Sequence, residues 1–512
     1  MLHEPLSARQ TRLGFAPVVA VMVIAFLAGA VGGLVGWEVQ LLLFSVALPA
    51  VLLLVDYRSG LLLAVLLVPY TNSKLVPSAG PLTVQNILLL GVTASFIAHW
   101  VFARARGRLV VVPLPRELIW YYLVPLTISA GIGSLHLSEI SAHYLAANEM
   151  LSYGLGQYWI SAYLKQLLLV AIACLIGAAV VEHGKGAVFA VTVVVSGVLL
   201  AFAVAGVVIA TGATLQQLQN VRDLLAVIGR HNNEAGILLL GAIAPALFMR
   251  ERMRHRLARF ALLLSICIMV AGLVLTMSRG SFLGLLVVLA FYLWRQRRPG
   301  LVIAVLALAT AGFASMPDAI RERLLLGLTN APSVQAQLAG SVARDKLTQG
   351  RIWIWRQVAP EVLNSPFVGR GMLSTQWSAA AKSGVYYSNH PHSLYLEMLM
   401  DLGIVGVIFI VLFWRYLWRL FRRLAEDERI PAPMRGYFLG SAAGLLGVLA
   451  YGFANGHWFP AVEQLFVWTS IGLAFGYQRW LALQPAASPI GSRPTSGLRR
   501  FSLPDSAVLG RR

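Results

Sequence analysis

The sequence predicts an all-α, polytopic membrane protein: a transmembrane helical bundle with one large loop. Three observations carry this. Of 512 residues, 58% are hydrophobic and 12% charged, against roughly 45–50% and 25% in ordinary soluble proteins. Apolar runs recur at about the 20 residues needed to cross 30 Å of hydrocarbon. Lys and Arg collect on alternate connections between those runs, as they do on cytoplasmic loops. The same composition excludes a soluble enzyme, a disordered chain, a collagen-like repeat and a coiled coil, because the 46 Gly and 23 Pro are scattered without period. A net charge of +20 would suggest nucleic acid in a soluble protein. In a membrane protein it sets loops against anionic lipid, so membrane lipids, and no nucleic acid, are the expected partners. Cys174 and Cys267 lie in apolar runs and form neither a disulfide framework nor a CxxC site.

Taken in order, the runs fall near 15–36, 38–55, 60–70, 84–102, 117–133, 161–181, 187–211, 235–249, 260–277, 281–294, 300–316, 393–414, 436–454 and 459–480. The first is too long, and too closely followed by others, for a cleavable signal peptide. The run at 60–70 is too short to span alone and reads as re-entrant, so the expected count is 12 to 14 spans. Arg9, Arg12, Arg58, the cluster Arg104, Arg106 and Arg108, Lys185, the arginines from Arg250 to Arg259, those from Arg295 to Arg298, and those from Arg415 to Arg435 fall on one side. Residues 134–160 on the other side contain no Lys or Arg. Both termini are therefore expected in the cytoplasm.

Four parts follow: an N-terminal transmembrane bundle over 1–316, a large outer loop over 317–391, C-terminal transmembrane helices over 392–483 and a disordered basic cytoplasmic tail over 484–512. The outer loop carries eight Lys or Arg against four acids, a net positive charge on the side where the charge rule expects little, although that rule weakens for long segments. Within it, Ile352, Trp355, Val358 and Val362 recur at helical spacing and predict an amphipathic helix at the membrane surface, ended by Asn364, Ser365 and Pro366. "PFVGRGM" and the polar stretch to Asn389 read as irregular chain covering a cavity.

Three basic positions share the outer side. Arg279 lies at a turn between spans, Arg351 opens the amphipathic helix, and His392 sits where the chain returns to the bilayer. A boundary arginine either snorkels to headgroups or grips a diphosphate bidentately. His392 is either an interfacial residue at a helix start or a neutral imidazole able to take a hydroxyl proton, and His390 competes for that role. Pro391 and Ser393 predict a helix start at 392–394, with its free N–H groups beside His392. Glu397 and Asp401, four apart on one face of an apolar run, must face the bundle interior or a wet cavity. Asp401 reads as an anchor for other helices, and Glu397 either touches an acceptor sugar or orients a basic residue. Arg222, Arg230, His231, Asn232, Asn233 and Glu234 form an ordinary outer loop or a second wall of the site. His136, His143 and His457 have no partner at metal-ligand spacing, and no HExxH, DxD, GxSxG or Walker-type motif occurs, so neither a metal nor a cofactor is expected.

"SRGSFLGLLVVL" around Arg279, "GRIWIWRQ" followed by "PFVGRGM", and "PHSLYLEMLMDLGIVG" stand in that order between Arg230 and Gly406. In this the chain resembles the bacterial O-antigen ligase and O-antigen polymerase superfamily. Ser393 departs from the family pattern, which commonly has Asn after the histidine, and the span count slightly exceeds the family's usual twelve. The resemblance implies an inverting, metal-independent glycosyltransferase of GT-C type, with its active site and large loop on the periplasmic face of the bacterial inner membrane. The implied donor is a glycan on undecaprenyl diphosphate. Arg279 would bind the diphosphate, Arg351 would support it or the developing charge, and His392 would be the catalytic group. Arg230, Arg356, Tyr395, Glu397 and His390 are secondary candidates. The acceptor is expected to be lipid A core, with a second lipid-linked repeat or a protein hydroxyl as alternatives. A rival reading, a transporter of the same lipid-linked glycan, would place charges at mid-span and repeat its topology.

Overall fold

The computed structural model describes residues 56–70, 84–148, 150, 152–211, 225, 228–297, 351–384 and 390–484. The runs expected at 15–36, 38–55 and 300–316, Arg222, the loop up to residue 350 and nearly all of the tail lie outside the described residues. Among the described residues, every regular element is helical.

The helices are α1 (Tyr57–Leu67), α2 (Val84–Ala105), α3 (116–134), α4 (Leu155–His183), α5 (Ala187–Ala210), α6 (Asn232–Arg252), α7 (Arg256–Leu275), α8 (Arg279–Arg295), α9 (Arg351–Val358), α10 (Leu394–Glu426), α11 (Ala432–Tyr451) and α12 (Leu465–Leu483). Among the described residues, six are long and apolar enough to cross a membrane: α2, α4, α5, α6, α7 and α10. The protein is a polytopic helical membrane protein. Its ends are set locally. Ser278 and Ser393 cap α8 and α10 by accepting from the N–H groups of Ser281 and Leu396. The start read from Pro391 and Ser393 is thus where the helix begins.

In α6, 89% of the spanning stretch is buried, against 28% in α7, so α6 is the axis of the described helices and α7 lies at their periphery. Helix α11 packs on α6 through Gly436, Gly440 and Gly444, and a Cβ added at Gly440 would lie 2.4 Å from the Ala244 carbonyl oxygen. Close backbone approach of this kind replaces the hydrophobic driving force that lipid removes. Helices α4 and α12 meet the same way, with Gly472 against the Ala173 carbonyl.

The loop before α10 differs from its sequence reading in two respects. The predicted amphipathic helix is two pieces, Arg351–Val358 and Glu361–Asn364, divided at Pro360, whose ring cannot continue the ladder. Its buried face runs through Ile354, Val358 and Glu361, while Ile352 is exposed. Ile354 and Val358 cluster with Ala380 and Met400, so this face packs on protein.

The second difference concerns "PFVGRGM", which is bound chain and not a cover. Helix α10 breaks at Gly403, where φ is 61°, and the break leaves backbone groups unpaired. The segment pairs them: Arg370 and Gly371 donate N–H to the carbonyls of Met400 and Asp401 (2.8 and 3.1 Å), and the N–H groups of Ile404 and Val405 donate to the carbonyls of Pro366 and Phe367 (2.8 and 3.1 Å). Non-helical backbone inside a membrane protein survives only when satisfied in this way. Residues 374–377 and 379–382, also read as irregular, form short helical turns.

Candidate active site

The starts of α6, α8 and α10 meet the turn that follows α11. The Tyr451 hydroxyl donates to the Asn233 carbonyl on α6 (3.2 Å), and Ser278 Oγ, the cap of α8, donates to Asn233 Oδ1 (2.9 Å). Gly280 on α8 lies against the Tyr451 ring and Ala454. The N–H of Leu394, first residue of α10, donates to the Gly452 carbonyl (2.9 Å). Three helix N-termini are thus gathered at one end of the bundle, where backbone N–H groups and helix dipoles favour an anion.

Arg279, Arg351 and His392, chosen from sequence, all lie at this end. Arg279 is the first residue of α8 and half-buried, and Arg351 is the first residue of α9. Helix α9 is tied to the histidine segment by Trp355, whose Nε1 donates to the Pro391 carbonyl (3.0 Å). His392 has φ of 54°, a left-handed conformation that costs a non-glycine residue on the order of 1–3 kcal/mol.

Next to it is a cluster the sequence did not announce. Glu397, with 1% of its side chain exposed, receives His390 Nδ1 at 3.1 Å and His457 Nδ1 at 2.9 Å on one carboxylate oxygen. Its other oxygen accepts the Trp458 N–H at 3.4 Å. Burial opposes charge on His457, but Glu397 outweighs it and lifts the imidazole to about 9. His457 is therefore a cation at neutral pH, and Glu397 orients basic residues, one of the two roles read for it. Among the described residues, His390, Glu397 and His457 are the group able to hold a metal ion, with ligand atoms within 4.8 Å of one another. Their hydrogen bonds occupy the same atoms. Setting His457 aside for want of a partner is corrected here: its partners lie 60 and 67 residues away in sequence, beyond any spacing rule.

The two competing histidines differ. His390 is buried, with Glu397 at Nδ1 (3.1 Å) and Asn455 Oδ1 at Nε2 (3.0 Å) occupying both ring nitrogens; a neutral ring donates to one of the two. His392 meets Asn455 Oδ1 through Nδ1 (3.3 Å), and its Nε2 makes no hydrogen bond among the described residues. Burial, then the nearby His390, with Arg351 and His231 adding to the effect, push the His392 imidazole down to about 4. At pH 7 it is neutral.

Other candidates are placed differently. Arg230 is buried, and donates from Nε and Nη2 to the carbonyls of Pro69 and Val68 (both 2.7 Å), with Glu234 3.6 Å away. It closes the end of α1 and is not a second wall. Tyr395 gives its hydroxyl to the Leu449 carbonyl (2.7 Å) and packs on Phe453. Arg356 is exposed on α9. Asp401 anchors as read from sequence: it accepts from Ser374 N and Oγ (3.0 and 2.6 Å) and from Trp458 Nε1 (2.9 Å).

The fold defines a polytopic membrane protein, and this end of the bundle gathers helix N-termini, two arginines and a neutral histidine into a candidate site. Residues 260–411 match the family described as O-antigen ligase. A protein of Rickettsia conorii whose name describes it as a polysaccharide ligase is 26% identical over 133 residues, which cover 23% of this chain and 31% of that relative. The matched stretch contains most of α7, all of α8 and α9 and the first half of α10.

Proposed function

We propose that the protein transfers a glycan from undecaprenyl diphosphate to an acceptor hydroxyl on the periplasmic face of the inner membrane, as an O-antigen ligase whose acceptor is lipid A core. The observation that carries this reading is a neutral His392 whose Nε2 makes no hydrogen bond among the described residues, set among three helix N-termini and the family's arginine positions.

In this reaction the acceptor oxygen attacks the anomeric carbon as its proton passes to His392 Nε2. The bond from that carbon to the diphosphate oxygen breaks, and its electron pair leaves with the undecaprenyl diphosphate. Attack opposite the leaving group inverts the anomeric configuration. Arg279, Arg351 and the helix N-termini take up the growing negative charge, which fixed donors do without reorganising. The leaving group is already activated, so these fixed cations supply the positive charge the step requires.

The test is transfer by protein reconstituted in vesicles with an undecaprenyl-diphosphate glycan. His392→Ala, Arg279→Ala and Arg351→Ala should each lower the rate by roughly 100-fold or more. Full transfer by all three variants overturns the assignment. Supplying lipid A core, a second lipid-linked repeat and a Ser-containing peptide in parallel separates ligase from polymerase and protein transferase. Glycan translocation without transfer to any acceptor would make the protein a transporter.

A further inference from the structure

The turn after α11 contributes a residue that none of the motifs contains. Asn455 Oδ1 lies between two imidazoles, 3.0 Å from His390 Nε2 and 3.3 Å from His392 Nδ1. Which end of its amide faces them decides which nitrogen of His392 carries the proton, because a carbonyl oxygen only accepts whereas the NH2 group only donates. The choice is settled one bond further away. The Tyr451 hydroxyl spends its single proton on the Asn233 carbonyl (3.2 Å), so toward Asn455 it can only accept. Asn455 Nδ2 therefore donates to Tyr451 (2.9 Å), and Oδ1 is left facing the histidines. Tyr451 is itself buried and Gly280 packs on its ring, so the chain from Asn233 to Asn455 is rigid.

We infer that Asn455 is a positioning residue for the transfer reaction: it holds the ring proton of His392 on Nδ1 and leaves Nε2 as the proton acceptor. The inference rests on the transfer reading above and adds to it how the histidine is made ready. A second observation supports it. His392 adopts its left-handed backbone between Pro391 and the helix cap Ser393, and such strain persists where the surroundings hold a side chain in one place. Here the ring is held against Asn455 on one side and stands edge-on to His390 on the other, with ring centroids 5.1 Å apart. The arrangement is a neutral counterpart of a carboxylate behind a catalytic histidine: it selects the tautomer and adds no charge.

Three variants test this, each checked for folding by size-exclusion chromatography and thermal unfolding in detergent. Asn455→Leu removes the acceptor and should lower kcat by roughly 100-fold, with KM for the lipid-linked donor within about twofold. Asn455→Asp keeps an acceptor and should restore most of the rate. Its added charge favours the imidazolium, so the acid limb of the pH profile should move to higher pH. The titratable and charged groups facing His392, namely His390, His231 and Arg351, are unchanged in these variants, so the movement reports the new carboxylate. Tyr451→Phe keeps the ring and its packing but frees the amide to turn, and should reduce kcat by an intermediate factor. It keeps the inference testable if Asn455→Leu does not fold.

Unchanged kcat in Asn455→Leu, or an Asp variant no better than Leu with an unmoved acid limb, overturns the inference. Those results leave the transfer reading standing if His392→Ala is inactive. Full activity of His392→Ala overturns the transfer reading itself.

Discussion

Glu397 and Asp401 occupy one face of one helix, a single turn apart, and both are buried. Their neighbours differ in kind. Glu397 meets two imidazoles, groups that can carry charge and exchange protons, whereas Asp401 meets a serine hydroxyl, a backbone N–H and an indole N–H, donors that stay neutral. Asp401 also sits at the Gly403 break, where its own carbonyl accepts from Gly371 N and Ser129 Oγ. The lower carboxylate holds the loop to the helix. The upper one aims basic side chains at the site. Two acids with the same sequence signature thus divide into fold and chemistry by what the rest of the chain brings to them.

This division can be broken experimentally. Asp401→Ala should cost the most stability, about 3–5 kcal/mol, because it leaves three buried donors without an acceptor. Thermal unfolding in detergent checks this, and a melting point within a degree of wild type would refute the anchoring role. Glu397→Gln should reverse the pattern, with a rate loss of about 10- to 100-fold and a stability loss of about 1–2 kcal/mol. A variant with full transfer would show that the histidine pair needs no carboxylate.

A smaller effect concerns Glu139, which pairs with Lys382 and Arg370 and joins the loop to the end of α3. The Lys382 hydrogen bond holds this carboxyl at about 2, below its ordinary 4.5. A depressed carboxylate contributes stability above its unfolded value and loses it as pH falls through the folded one. The melting temperature should therefore drop between about pH 4.5 and pH 2, and Glu139→Gln should remove that dependence. Tyr395→Phe should do least, losing one hydrogen bond worth about 0.5–1.5 kcal/mol with transfer intact.

Much of the frame was legible because lipid imposes simple rules. Apolar length located the helices, Ser393 marked the start of α10, and the interval of four placed Glu397 and Asp401 on one face. The rest depended on partners distant in the chain. Arg230 reads from sequence as part of an ordinary outer loop or a second wall of the site, whereas its carbonyl acceptors lie 161 and 162 residues away. Asn455 and His457 carried no signal of their own, since one polar turn after a helix resembles any other. "PFVGRGM" and "MDLGIVG" each read as weak motifs, and their common cause, glycines meeting across the break in α10, exists only in three dimensions.

The break at Gly403 also has a mechanical consequence. Before it, Glu397, Met398, Met400, Asp401 and Leu402 are buried. After it, Ile404, Val405, Ile408 and Val411 are exposed to the surroundings of the bundle. Long helices answer a thicker or thinner bilayer by tilting, and a continuous α10 would swing its histidine end through that angle. In an interrupted one the loop segment fastens residues 400–405 on both sides of the break, and only the helix beyond them is left to follow the bilayer. The joint would act as a strain relief between the hydrocarbon and the reaction, so transfer should be nearly independent of acyl-chain length in vesicles that markedly change the tilt of the part of the helix after Gly403.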